Sequence, residues 1–221
     1  ETGSATLRAF YESDETRIQN AVGFKGNGYE MKKYQSAEEF AALYPFHPYQ
    51  FNLLADVLNK IRLNSSTGKH LSEGERSMLG ACQQAAISIM EKEEGALIPF
   101  YRFYDDLLKF LDHTHASVIQ RAEDSERINP LHETDCFAVN VLKTLFLLKY
   151  IDGIPMTVDN ILNFMVTDIH EDKAVLRNKV EEALQVLTRS LLVSQIQNTY
   201  EFLTDEEQDI NRAICDRNIS S

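Results

Sequence analysis

The chain has 221 residues, 43% hydrophobic and 25% charged, a globular composition that excludes intrinsic disorder as its class and allows one large domain or two small ones. Its 22 Lys+Arg against 34 Asp+Glu give a net charge of −12, which excludes duplex binding through the overall field and leaves only a local basic patch for that purpose. No run of about 18 apolar residues is present, so no membrane contact is expected, and residues 1–5 lack the charged start and apolar core of a signal peptide.

Residues 1–35 form a poorly defined N-terminal segment. Leu7, Phe10, Tyr11, Ile18, Val22 and Phe24 fit one broken helix, and Gly23, Gly26 and Gly28 then force a loop. Ser36 followed by Glu39 is a capping box that opens a short helix over 38–43. Tyr44-Pro-Phe-His-Pro48 reads as a rigid extended linker, because proline disfavours helix in the residue before it. Pro48 suits a first helical turn, and Phe51, Leu54, Val57, Leu58 and Ile61 carry a helix over 48–63. Ser72 and Glu75 form a second capping box, followed by an apolar face from Met78 to Ile89. Pro99 starts an aromatic-rich helix or helix pair built on Phe100, Phe103, Tyr104, Leu107, Leu111, Val118 and Ile119. The polar stretch 123–135, with Asn129-Pro130, predicts a domain boundary, giving a helical domain over 36–130 and a second domain over 131–221.

The last third predicts three helices, two strands and a final helix. Val139, Leu142, Leu145, Phe146 and Tyr150 mark the first helix, which Gly153-Ile-Pro155 breaks. Thr157 caps a second helix with Ile161, Leu162 and Met165, and residues 173–190 form the third. Residues 191–196 and 199–203 read as strands joined by a tight turn at Gln197-Asn198, and Thr204 with Glu207 caps the last helix. Three helices followed by a β-hairpin outline a winged helix, so the fold class is mainly α.

Several strings invite chemistry. Gly68-Lys69 suggests a phosphate cradle, but that motif needs a glycine where Leu63 stands and a hydroxyl residue where His70 stands. His113 and His115 project about 200° apart on a helix and cannot chelate one ion. His132-Glu-Thr-Asp-Cys136 lacks a further ligand for zinc, so no metal site is assigned. Three unpatterned cysteines, Cys82, Cys136 and Cys215, fit a reducing cytoplasmic setting. Phe46, Tyr49 and Phe51 beside two prolines suit a stiff structural junction, with an aromatic pocket for a nucleotide base as the alternative. Leu71-Ser-Glu-Gly-Glu-Arg76 resembles the signature sequence of ABC-type ATPases, where Ser72 and the Gly74 backbone would face a γ-phosphate. Its Arg76 is also similar to the sensor arginine of AAA+ lids, and the plain alternative is a capped helix start. The third helix of the hairpin unit carries Lys173, Arg177 and Lys179, with Arg189 near its end, a candidate contact surface for DNA or a protein partner. Glu181 and Glu182 share that helix, and residues 138–221 hold 8 Lys+Arg against 13 Asp+Glu, which favours protein contact.

Four strings carry a resemblance. Tyr44-Pro-Phe-His-Pro-Tyr-Gln-Phe-Asn-Leu-Leu54, Gly68-Lys-His-Leu-Ser-Glu-Gly-Glu-Arg-Ser-Met-Leu79, Val141-Leu-Lys-Thr-Leu-Phe-Leu-Leu-Lys-Tyr150 and Tyr200-Glu-Phe-Leu-Thr-Asp-Glu-Glu-Gln-Asp-Ile-Asn-Arg212 resemble the BrxC/PglY family. These are the large P-loop ATPases of bacteriophage exclusion (BREX) defence, and the match spans roughly residues 30–215. The resemblance implies an internal piece of a bacterial cytoplasmic ATPase, with a helical AAA+ lid-like region followed by a winged helix. It implies ATP and Mg²⁺ in the parent protein, no cofactor and no catalysis in this piece, and partners among the other BREX proteins, DNA, or copies of the intact protein. In that setting Arg76, Ser72 and Gly74 would sense nucleotide held upstream.

Overall fold

The computed structural model describes residues 2–26, 28–64, 74–108 and 113–219. It is mainly helical, with a small two-stranded antiparallel sheet near the C-terminus. α1 (Thr2–Asn20) is kinked at Asp14 (φ −132°, ψ 23°), so the helix is broken as expected, but Val22 and Phe24 lie beyond its end in non-helical chain. α1 lies against α2 (Ala37–Leu43), whose capping box forms: the Glu39 amide donates to Ser36 Oγ at 3.1 Å, and the Glu39 carboxylate accepts from the Gln35 amide at 2.6 Å.

A cis peptide at Tyr44-Pro45 leads into α3 (Pro48–Asn64). The capping box at Ser72 lies outside the described residues, and α4 (Gly74–Ile87) is described from its first residue on. Residues 95–98 then run as a seam. The Leu97 amide donates to the Thr167 carbonyl (2.8 Å), Ile169 donates back to the Gly95 carbonyl (3.0 Å), and Gln50 Nε2 donates to the Ile98 carbonyl (2.6 Å). A 3-10 turn over Phe100–Phe103 continues into α5 (Tyr104–Leu107), and α6 (His113–Glu123) follows.

The polar stretch 123–135 folds around Asn129. Its side chain is buried, donates to the Glu123 and Glu133 carbonyls and accepts from the Glu133 amide. Ile128 and Cys136 on either side join the core.

α7 (Phe137–Leu148) is the central helix. Every residue from Val139 to Leu148 is buried, as a helix enclosed on all sides requires. α8 (Val158–Met165) and α9 (Lys173–Arg189) pack against it and each other, and α6 covers another side. β1 (Val193–Ile196) pairs with β2 (Thr199–Phe202), with Val193 opposite Phe202 and Ile196 opposite Thr199. Gln197 takes a positive φ of 56° at the turn. α10 (Asp205–Ile219) opens on a second complete capping box, Thr204 with Glu207, and three acids in its first turn suit the helix dipole. One continuous hydrophobic cluster runs from Tyr11 to Phe202. Phe164 sits at its middle, fully buried among Phe24, Tyr49 and Phe100. Tyr49 is core there, and Phe46 packs on Phe51 and Phe103.

Candidate functional site

The surface singled out by the sequence is α9, and three neighbouring parts of the chain set its geometry. The first is α7, which anchors the hairpin from inside. The Lys149 side chain, 5% exposed, follows the end of α7 and drives its ammonium between Glu201 (3.1 Å), Glu207 (2.9 Å) and the Phe202 carbonyl (2.7 Å). Burial pushes the Glu207 carboxyl up, but hydrogen bonds from Lys149 and the Thr204 amide outweigh it and hold the group below the usual carboxylate range. Lys149 therefore ties α7 to β2 and to the first turn of α10, and none of its charge faces a partner.

The second part is α8, whose Asp172-capped neighbour α9 begins where α8 presents two asparagines. Asn160 and Asn163 are buried, three positions apart on one helix face, and each pairs with a single residue of the 23–25 segment. Asn163 accepts from the Gly23 amide at 2.9 Å and donates to the Gly23 carbonyl at 3.0 Å. Asn160 treats Lys25 in the same way, at 2.9 Å in both directions. The spacing explains the match. Side chains at i and i+3 on a helix lie about 5–6 Å apart, and residues two apart in extended chain lie about 6.6 Å apart. Two side-chain amides thus stand in for a neighbouring strand, and Phe24 between them turns into the core against Tyr49 and Phe164.

The third part is the 23–25 segment itself, which brings Lys25 to the start of α9. Asp159 on α8 receives Arg177 in a short ion pair and has Lys25 Nζ at 3.9 Å. Arg177 also reaches Glu181 at 3.7 Å. Lys173 donates to the Asn20 carbonyl (2.7 Å), beside Lys33 on the Gln19 carbonyl (3.0 Å), so two ammonium groups cap the C-terminal end of α1. Burial, and then Lys33, hold the Lys173 ammonium below the ordinary lysine pKa.

The four cations predicted on α9 therefore do not form one stripe. Lys173 and Arg177 share a groove of about 470 Å³ with Lys25 and Asp159. Lys179 lies in a separate, apolar groove with Ile128, Leu131 and Phe137. Arg189 lies in a third groove, of about 640 Å³, against Gln195 and Tyr200 of the hairpin. Glu182 lines both of the latter two. Of the three residues expected to sense nucleotide, Gly74 opens α4, while Ser72 and the side chain of Arg76 lie outside the described residues. Gly68-Lys69 lies outside them too, as do the side chains of His113 and His115. Among the described residues, no group of three or more His, Cys, Asp and Glu could hold a metal ion, and no helix is long and apolar enough to cross a membrane.

Sequence reasoning missed Lys25, Asp159, Asn160 and Asn163. Lys25 falls in the expected glycine loop, and the expectation for α8 rests on Thr157, Ile161, Leu162 and Met165 alone. The buried His47 was missed as well. It packs between the Tyr34 and Tyr49 rings, its Nε2 has no hydrogen-bond partner, and burial lowers its pKa to about 3.

No family model matches the chain, and no solved structure matches it.

Proposed function

We propose that this chain is a non-catalytic adaptor from a BREX phage-defence ATPase, in which α7, α8, α9 and the β1–β2 hairpin form a winged helix used for contact with another protein. The resemblance of four strings to the BrxC/PglY family supports the choice of family, and the helix–helix–helix–hairpin order supports the winged-helix reading. One observation carries the choice of a protein over DNA: the two α9 cations nearest its start are already matched within the chain, Arg177 by Asp159 and Glu181 and Lys173 by the Asn20 carbonyl, while Lys179 and Arg189 lie in separate grooves that Glu182 also lines. A duplex gains affinity by releasing counterions from its phosphates onto free Lys and Arg, and cations already held by internal carboxylates contribute little of that gain.

The helices before α7 take the lid-like role, relaying the nucleotide state of an upstream core. ATP and Mg²⁺ belong to that core, since Gly68-Lys69 lacks the glycine and hydroxyl partners of a phosphate cradle and no step of ATP chemistry is assigned to these residues. Arg76 is the proposed sensor, and Arg76→Ala in the full-length protein should lower ATP turnover; unchanged turnover removes that role.

The main test sets affinity capture with the other BREX proteins of one system against an electrophoretic shift with duplex DNA at low salt. Retention of a BREX protein without a duplex shift is the expected result. A duplex shift abolished by charge reversal at Lys173 and Arg177 would establish the DNA-binding alternative in its place.

A further inference from the structure

Three cations line one groove of this acidic chain. The groove of about 470 Å³ between the 23–25 segment, α8 and the first turns of α9 is lined by Lys25, Lys173 and Arg177 against one carboxylate, Asp159. The nearby acids are engaged elsewhere. Asp172 caps α9 through the Ala174 and Val175 amides (2.8 and 3.2 Å), and Glu171 accepts from the Thr167 amide (2.8 Å). Glu181 touches Arg177 only from the adjoining groove. With the first-turn amides of α9 already taken by Asp172, any attraction for an anion comes from side chains.

We propose that this groove receives an aspartate or glutamate side chain of a protein partner, whose carboxylate replaces Asp159 on Arg177 and draws Lys25 over it. The proposal rests on the protein-contact reading above and names the chemistry of the contact. The internal pair is built to exchange: Asp159 is 40% and Arg177 42% exposed, so their attraction is screened by water. The guanidinium donates to any carboxylate presented with the same geometry. Lys25 is 78% exposed and sits 3.9 Å from Asp159, near enough to follow an incoming anion and not committed to the resident one. A duplex fits poorly, because exposed Glu181 and Glu182 lie further along α9 and would face its phosphates.

Fluorescence anisotropy of a labelled glutamate-rich peptide against the full chain at low salt tests this. Lys25→Glu, at an exposed position that leaves the fold intact, should weaken binding about tenfold, as a charge reversal beside a bound carboxylate does. Asp159→Asn removes the internal competitor and should tighten binding about threefold or more, a gain that a purely structural role for Asp159 would not produce. Wild-type binding in both variants, or weaker binding in Asp159→Asn, overturns the proposal. Displacement of the peptide by equimolar inorganic phosphate overturns it by assigning the groove to a free anion. If Lys25→Glu still captures a BREX partner at wild-type strength, this inference fails while the protein-contact reading stands. If duplex DNA outcompetes the peptide, both fail.

Discussion

Asn163→Ala measures how firmly α8 holds the 23–25 segment. The truncation removes three hydrogen bonds, from the Gly23 amide (2.9 Å) and to the carbonyls of Gly23 (3.0 Å) and Asp159 (2.8 Å). The Asp159 carbonyl is within a helix and retains its ladder bond, so that loss is small. The two bonds to Gly23 matter more, because each net neutral hydrogen bond contributes about 0.5–1.5 kcal/mol and an abandoned buried group costs about 1–3 kcal/mol. Gly23 is only half-buried, so water recovers part of the loss. The balance is a destabilisation of about 2 kcal/mol, which for a chain of this size lowers Tm by about 4–8 °C. Urea unfolding gives the free energy, and hydrogen exchange at the Gly23 and Lys25 amides gives the location. Asn163→Asp should do no better than alanine, because its carboxylate keeps the acceptor for the Gly23 amide but faces the Gly23 carbonyl without a donor. A loss below about 0.5 kcal/mol with unchanged exchange at Gly23 would refute the amide clamp, since even one net hydrogen bond contributes that much.

His47 predicts an acid-side loss of stability. Its pKa is about 6.5 unfolded and about 3 folded, so the unfolded chain binds the extra proton. Stability is full above pH 6.5 and falls as pH drops from 6.5 towards 3, by up to about 1.4 kcal/mol per pH unit. Urea titrations at pH 7 and 5 should show this slope, and His47→Gln should flatten it. Lys149→Met leaves the Phe202 carbonyl and the Glu207 carboxylate without their cation, at a cost of about 2 kcal/mol once the partial exposure of Glu207 is allowed for; amide exchange should rise first in β2 and at the start of α10. Phe164→Ala empties the middle of the aromatic cluster and should cost about 3–5 kcal/mol in thermal or urea unfolding, which a well-packed fully buried ring predicts.

What the sequence makes legible here is local. The capping boxes at Ser36 and Thr204, the apolar periods of α3, α7 and α9, and the turn at Gln197 all act within a few residues, and each element formed where those signals placed it. The site depends on contacts of another kind. Asn160 meets Lys25 across 135 residues of chain, and Lys173 reaches the Asn20 carbonyl across 153. A polar residue on a short helix carries the same local signature whether it faces water or a buried backbone, so Asn160 and Asn163 could not be told from a solvated face. The stretch 123–135 shows the same limit from the other side. Its polar composition marks it as a domain boundary, and composition alone does not show that the Asn129 side chain closes a turn there on the Glu123 and Glu133 backbone.

The same limit governs the reading of α9. Four cations on a helix preceding a hairpin suggest a groove-reading surface only while their counter-charges are unknown. The structure places Lys173 and Arg177 in one groove, Lys179 in a second and Arg189 in a third. A duplex laid along α9 would meet Glu181 and Glu182 between the two ends of that series, and Arg177 would first have to leave both Asp159 and Glu181. An acidic side chain entering only the first groove stays clear of Glu182 and needs Arg177 to give up Asp159 alone. It exchanges one carboxylate for another on Arg177, keeps the number of ion pairs constant, and adds the contact with Lys25 that Asp159 makes only at 3.9 Å. On this surface, a point contact with a partner's carboxylate therefore costs less than a line of phosphate contacts, and removing the carboxylate of Asp159 should favour the first without creating the second.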